Sequence, residues 1–254
     1  MKYAQLIFSP TGGTGKAAEM VTAEWSTSVE TIDLTNPAID FSKCQMEADD
    51  FVLIALPSYG GRVPGLAAER LAQIPGNSAK CVLLCVYGNR AYEDTLVEME
   101  DIAKRAGFTV VAAISAVAEH SIMHQYASGR PNREDERQLK SFAKVILEKF
   151  KAGTLNGEPQ IPGNRPYKKA GGAGLVPKAG TRCNGCGLCA DHCPAGAISK
   201  ENLKTANPKK CISCMRCVVK CPQHTRKVNG ALVSIASLAI KKACGEKKEV
   251  ELFL

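Results

Sequence analysis

The feature that most constrains this chain is a repeated run of cysteines. Cys183, Cys186, Cys189 and Cys193 recur as Cys211, Cys214, Cys217 and Cys221 at a constant offset of 28 residues. Each run reads C-x2-C-x2-C-x3-C-P, so one small unit is present twice. Two-residue gaps let three thiolates from one tight loop reach three corners of an iron–sulfur cube, and the proline turns the chain away after the fourth cysteine. Structural zinc more often uses paired C-x2-C knuckles and has no use for a third cysteine at the same spacing. Disulfides suit small exported domains. Here eight of the 12 cysteines crowd into residues 183 to 221, and the N-terminus, MKYAQLIFSP, is too quickly broken for a signal peptide or a membrane span. Metal ligation in the cytoplasm is therefore expected. Cys44, Cys81, Cys85 and Cys244 read as ordinary thiols, with Cys81 and Cys85 on one face of a strand.

Residues 1–152 alternate short apolar runs with helical patterns, as a parallel α/β sheet does. The pattern predicts strands at 3–8, 29–34, 51–56, 81–87 and 108–116, and helices at 14–26, 65–74, 92–106 and 134–152. The crossover between the second and third strands shows no clear helix. Glu100/Lys104 and Asp101/Arg105 are i,i+4 pairs in the favourable order, Gly107 stands where a C-terminal cap belongs, and Asn132 is placed to cap the helix from 134. Residues 153–180 are dense in glycine and proline without an apolar period, which predicts a linker. Residues 181–228 hold the cysteine repeat. Residues 229–254 form a tail in which ALVSIASLAIKKA predicts a helix packed on the body of the protein.

A second motif, Ser9-Pro10-Thr11-Gly12-Gly13-Thr14-Gly15-Lys16, follows the first strand directly and opens a helix. Helix-start amides, hydroxyls and glycines that permit close approach make a phosphate cradle. A Walker A loop would need Gly at position 10 and Ser or Thr after Lys16, where this chain has Pro10 and Ala17. A dinucleotide fingerprint can be drawn from Gly13 to Ala18 with Asp33 about 20 residues on, and stands as a rival.

The N-terminal motif resembles the phosphate loop of the flavodoxins, S/T-x-T-G-x-T, met here by Ser9, Thr11, Gly12 and Thr14. The resemblance implies a doubly wound sheet of order 2-1-3-4-5 that binds FMN beyond strands one, three and four. Those ends carry Pro57-Ser58-Tyr59-Gly60-Gly61 and Tyr87-Gly88-Asn89-Arg90-Ala91-Tyr92. By the same resemblance Tyr59, and Tyr87 or Tyr92, flank the flavin ring, and the Gly60 or Gly61 peptide meets its reactive edge. Gly13, Gly15 and Lys16 complete the expected FMN set. Residues 181–222 resemble the two-cluster bacterial ferredoxins, a small α+β fold in which the fourth cysteine of each run ligates the other cluster. One [4Fe–4S] cluster would then take Cys183, Cys186, Cys189 and Cys221, the other Cys211, Cys214, Cys217 and Cys193. After Pro222 the sequence Gln223-His224-Thr225-Arg226 departs from the small and apolar residues usual in that family.

Taken whole, the chain resembles the flavodoxin–ferredoxin fusion proteins of anaerobic bacteria and archaea. That likeness implies an electron carrier passing electrons between FMN and two clusters, to or from a partner oxidoreductase. The alternative is an FMN-dependent reductase of a small molecule or quinone fed by its own ferredoxin part. Residues 1–153 carry 16 Lys+Arg against 19 Asp+Glu, and residues 154–254 carry 17 against 6. Each oxidised cube with four thiolates carries about −2, so part of that basic excess balances the clusters. The rest fits an acidic protein partner better than nucleic acid, because no stacking aromatics accompany the lysines. His120 and His124 follow the fifth strand, on the expected flavin side.

Overall fold

The computed structural model describes residues 1–155, 157–171 and 174–254. Asn156, Gly172 and Ala173, all within the expected linker, lie outside the described residues.

Five apolar runs make the parallel core of one sheet: β1 (Tyr3–Ile7), β2 (Glu30–Asp33), β3 (Phe51–Pro57), β4 (Lys80–Tyr87) and β5 (Thr109–Val117). Their order is β2-β1-β3-β4-β5. The order reverses between β1 and β3, so the loops leaving those strands diverge and open a crevice at the C-terminal edge. Helices α1 (Gly13–Thr22) and α4 (Arg133–Lys151) cover one face, α2 (Gly65–Leu71) and α3 (Thr95–Arg105) the other. The β2–β3 crossover holds only a short 3-10 turn, Phe41–Lys43. Alternation along β3 and β4 divides the core: Ile54, Leu56, Cys81 and Cys85 pack toward α2 and α3, and Phe51, Leu53, Val82 and Leu84 toward α1 and α4. Phe150 of α4 stacks on Phe51 at 4.0 Å.

The predicted caps form. Asn132 accepts from the amides of Glu134 and Asp135, and the Asp135 carboxylate returns a bond to the Asn132 amide, a capping box. Gly107 closes α3 with φ at +89°. Glu100 pairs with Lys104 at 3.0 Å, whereas Asp101 takes Arg165 at 2.8 Å in place of the expected Arg105.

Arg165 belongs to the glycine- and proline-rich segment, whose residues 163–168 lie along α3 as an extended strap. Asp94 accepts from the amides of Asn164 and Lys168, and Tyr167 donates to Asp101. The strap ends in β6 (Lys178–Ala179), which pairs antiparallel with β7 (Arg226–Lys227). Between them lie the cysteine runs and two single-turn helices, α5 (Leu188–Asp191) and α6 (Arg216–Val219).

The tail departs from the sequence-based expectation. Helix α7 (Gly230–Ile240) forms, yet Leu232, Ile235 and Leu238 are 51%, 65% and 70% exposed. It touches the body along one edge, where the Tyr126 hydroxyl donates to the Ser237 carbonyl at 2.9 Å. Beyond it, β8 (Glu251–Phe253) pairs antiparallel with β5, Ser115 opposite Glu251, and becomes a sixth strand. An antiparallel strand covers the open β5 edge and satisfies its backbone groups. Among the described residues no helix is long and apolar enough to cross a membrane.

Candidate functional site

The loop after β1 is shaped by one hydroxyl and two glycines. Ser9 Oγ accepts from the Gly15 amide at 2.8 Å. Gly12 sits at φ +99° ahead of α1, and a Cβ on Gly13 would stand 3.1 Å from Ala118 Cβ. The loop therefore holds the first amides of α1 at the crevice, where a helix start favours anions. Lys16 points elsewhere, its Nζ donating to the Pro131 carbonyl at 2.7 Å.

After β3 the chain reverses at Tyr59–Arg62, with backbone bonds between those two residues and Gly60 and Gly61 at φ +65° and +86°. Arg62 is fixed by Glu98 at 2.7 Å. Burial pushes the Tyr59 phenol well above its ordinary pKa, and its neighbour Cys214 adds to that shift. After β4, Gly88 lies against His120, whose Cδ2 would be 2.7 Å from an added Cβ. His120 Nδ1 accepts from the amides of Ile122 and Met123, both at 3.2 Å, which leaves the proton on Nε2. Burial, and then the nearby His124, hold its pKa below the usual imidazole value, so the ring is neutral.

These loops enclose a cavity of about 430 Å3, within the span of about 300–1,000 Å3 usual for small-molecule sites. Of the sequence-predicted FMN residues, Thr11, Gly13, Thr14, Pro57, Ser58, Tyr59, Gly60, Tyr87, Gly88 and Arg90 line it. Ser9, Gly12, Gly15, Lys16 and Gly61 lie behind the lining. Asn89 and Tyr92 are engaged by the tail. Asn89 Nδ2 donates to the carbonyls of Cys244 and Glu246, both at 2.9 Å, and the Tyr92 hydroxyl donates to Glu251 at 2.9 Å. Four further groups contribute to the wall: His120 to Met123 after β5, Ala170 and Gly171 of the strap, Ile212 and Ser213 before Cys214, and Ala236 and Ile240 of α7. His120 carried a faint sequence signal in its place after the fifth strand; the others come from remote segments with none.

The eight cysteines gather into two small cavities. One is lined by Cys183, Cys186, Cys189 and Cys221, the other by Cys193, Cys211, Cys214 and Cys217. Ala197 donates its amide to Cys193 Sγ at 3.2 Å. Burial opposes the Cys221 thiolate, but the amides of Thr225, Arg226 and Gln223 outweigh it and hold its pKa below the ordinary thiol value. Burial pushes Cys214 up to about 12 and raises Cys189, Cys211 and Cys217. Buried thiols of that kind become thiolates when a metal deprotonates them outright. Among the described residues no three His, Cys, Asp or Glu side chains are arranged to hold a single metal ion. Ligands at separate corners of a cube need no such convergence.

The second cysteine group faces the sheet. Arg216, between Cys214 and Cys217, donates to the Ser9 carbonyl at 3.3 Å and pairs with Asp33 at 3.6 Å. From the other side Arg70 donates to the carbonyls of Leu34 and Pro194 at 2.6 and 2.7 Å. In the first group Cys186 is exposed, as is Leu188 next to Cys189 in the chain.

Sheet order and cysteine geometry together define the class: a doubly wound sheet of flavodoxin-like order joined to a segment with two four-cysteine cavities. Residues 173–225 match the 4Fe-4S dicluster domain family. Similar solved structures include the flavodoxin of Streptococcus pneumonia TIGR4, at 19% identity and TM-score 0.41 over 58% of this chain and 99% of that one. Another is Fusobacterium nucleatum flavodoxin bound to flavin mononucleotide, at 13% identity and TM-score 0.40 over 59% and 99%. A third is rubredoxin oxygen:oxidoreductase from the anaerobe Desulfovibrio gigas, at 16% identity and TM-score 0.43 over 61% of this chain. This chain covers 37% of that larger protein. No curated protein matches the chain.

Proposed function

We propose that this protein is an electron carrier holding FMN in the crevice beyond β1, β3 and β4 and two [4Fe–4S] clusters in the cysteine cavities. The flavin phosphate meets the amides at the start of α1 beside Thr11 and Thr14, and the ring lies between Tyr59 and Tyr87. The ligand sets are Cys183, Cys186, Cys189, Cys221 and Cys211, Cys214, Cys217, Cys193. When bound, the flavin exchanges two electrons and each cluster one.

A single observation carries the reading: Ile212 and Ser213, from the loop that supplies Cys211 and Cys214, form part of the flavin cavity wall. The second cluster is therefore the flavin's neighbour and the first is the outlet. Around that outlet Lys178, Arg182, Lys220 and Lys227 are exposed, a basic rim for an acidic redox protein. The strap, the Ile212 loop and α7 supply protein to the cavity wall, which favours a carrier over a reductase with its own organic substrate. Residues 1–152 serve as the flavin domain and 181–228 as the cluster domain.

The test is iron, sulfide and flavin quantification on anaerobically purified protein. About eight irons and one FMN per chain are expected, falling to about four irons with flavin retained in Cys193→Ala. An unchanged iron count in that variant sinks the ligand assignment, and extraction of NAD in place of FMN overturns the flavin site.

A further inference from the structure

The internal repeat places Arg226 in register with Ile198, 28 residues earlier. Ile198 packs in the apolar cluster with Cys189, Cys193 and Ala197, as a small core requires. Its counterpart is a guanidinium, 2% exposed. Arg226 donates to the carbonyls of Leu203 and Pro177 at 2.6 and 3.0 Å, and lies 3.6 Å from Cys189 Sγ. Its Nε is buried without a partner, and among the described residues no carboxylate pairs with it. Arginine stays charged in proteins, and a buried, unpaired charge is strongly unfavourable unless something compensates it.

We propose that Arg226 is a built-in counter-charge that raises the reduction potentials of the clusters. This rests on the cluster reading above. The guanidinium lines the first cysteine cavity together with Cys183, Cys186, Cys189 and Cys221, and its charge also favours the thiolates of Cys211 and Cys217 in the second group. A cube with four thiolates carries about −2 oxidised and about −3 after taking one electron. A fixed cation stabilises the more negative state of each. An isoleucine at this position, as in the first repeat, supplies none of this.

The test is a redox titration of the cluster-loaded full chain, followed by electron paramagnetic resonance with iron counted in each sample, for wild type and Arg226→Met, Arg226→Gln and Arg226→Lys. Met and Gln are expected to keep their iron while both potentials fall by the equivalent of at least tenfold in the reduction equilibrium, about 59 mV per electron. Lys should stay nearer wild type. Where Met strips iron, the Gln against Lys comparison decides, since only Lys keeps the charge. Equal potentials in Gln, Lys and wild type overturn the proposal. So does iron loss in all three variants beside an iron-replete wild type, which marks a purely structural role. A wild type without iron overturns the cluster reading first, and the proposal with it.

Discussion

Asn89 sets how firmly the tail is held. Its amide donates to the carbonyls of Cys244 and Glu246 at 2.9 Å each, and its Oδ1 accepts from the Lys248 amide at 3.2 Å. At about 1 kcal/mol net per buried hydrogen bond, the three contribute about 3 kcal/mol, or roughly 150-fold in the docking equilibrium. Asn89 also sits at φ +65°, so alanine would add strain of about 1–2 kcal/mol. Asn89→Gly isolates the hydrogen bonds. In that variant the Lys248 amide and those of β8 should exchange with solvent hydrogen about 100-fold faster, while β3 and β4 keep their protection, because the opening is local. Unchanged exchange at Lys248 and β8 would refute the reasoning. Wild-type rates at the tail with a uniformly weakened sheet would do so equally.

A Cβ on Gly61 would fall 1.7 Å from Glu93 Oε2 at φ +86°, so Gly61→Ala should displace the turn carrying Tyr59. We expect at least tenfold weaker FMN binding by fluorescence titration, and unaltered affinity would contradict it. Burial disfavours the Asp135 carboxylate, but Arg130 and the Asn132 amide overcome this and hold its pKa below the ordinary value. Its stabilisation is thus complete above about pH 4 and disappears as pH falls through the lowered folded value. Asp135→Asn should cost about 3–5 kcal/mol at neutral pH by leaving Arg130 buried and unpaired, with a flatter acid limb in thermal melts. Arg70→Ala strands the Leu34 and Pro194 carbonyls. We expect a loss of about 3 kcal/mol and slower flavin-to-cluster electron transfer by flash photolysis; an unchanged rate would show that Arg70 does not set the domain contact.

The five parallel strands and four long helices were legible because each is long enough to show its period, and punctuation such as Asn132 and Gly107 acts locally. The repeated spacing marked the eight cysteines as a ligand set, and the exchange of Cys193 and Cys221 between the groups was legible through the resemblance to the two-cluster ferredoxins. The tail was not. Three residues of β8 are too few to show alternation, and α7 is apolar on all sides, so nothing in its pattern separates a helix packed in a core from one that meets a cavity with Ala236 and Ile240 alone. The strap was hidden for a related reason. Its anchors are single side chains, Arg165 and Tyr167, reaching the acidic face of α3, and composition without period carries no register. Asn89 and Tyr92 sit in the loop where flavin contacts were expected, but the tail claims their polar groups first.

The antiparallel pairing of β8 with β5 bears on the mechanics of the proposed relay. The cysteine-bearing segment leaves the sheet after α4 and re-enters it at β8, so it is moored at both ends to one rigid body. A redox module on a single tether must diffuse between donor and acceptor, and its turnover then follows solvent viscosity. A doubly moored one keeps its tunnelling distance fixed. Internal electron transfer here should therefore be indifferent to added glycerol, leaving the encounter with the outside partner as the step that viscosity slows.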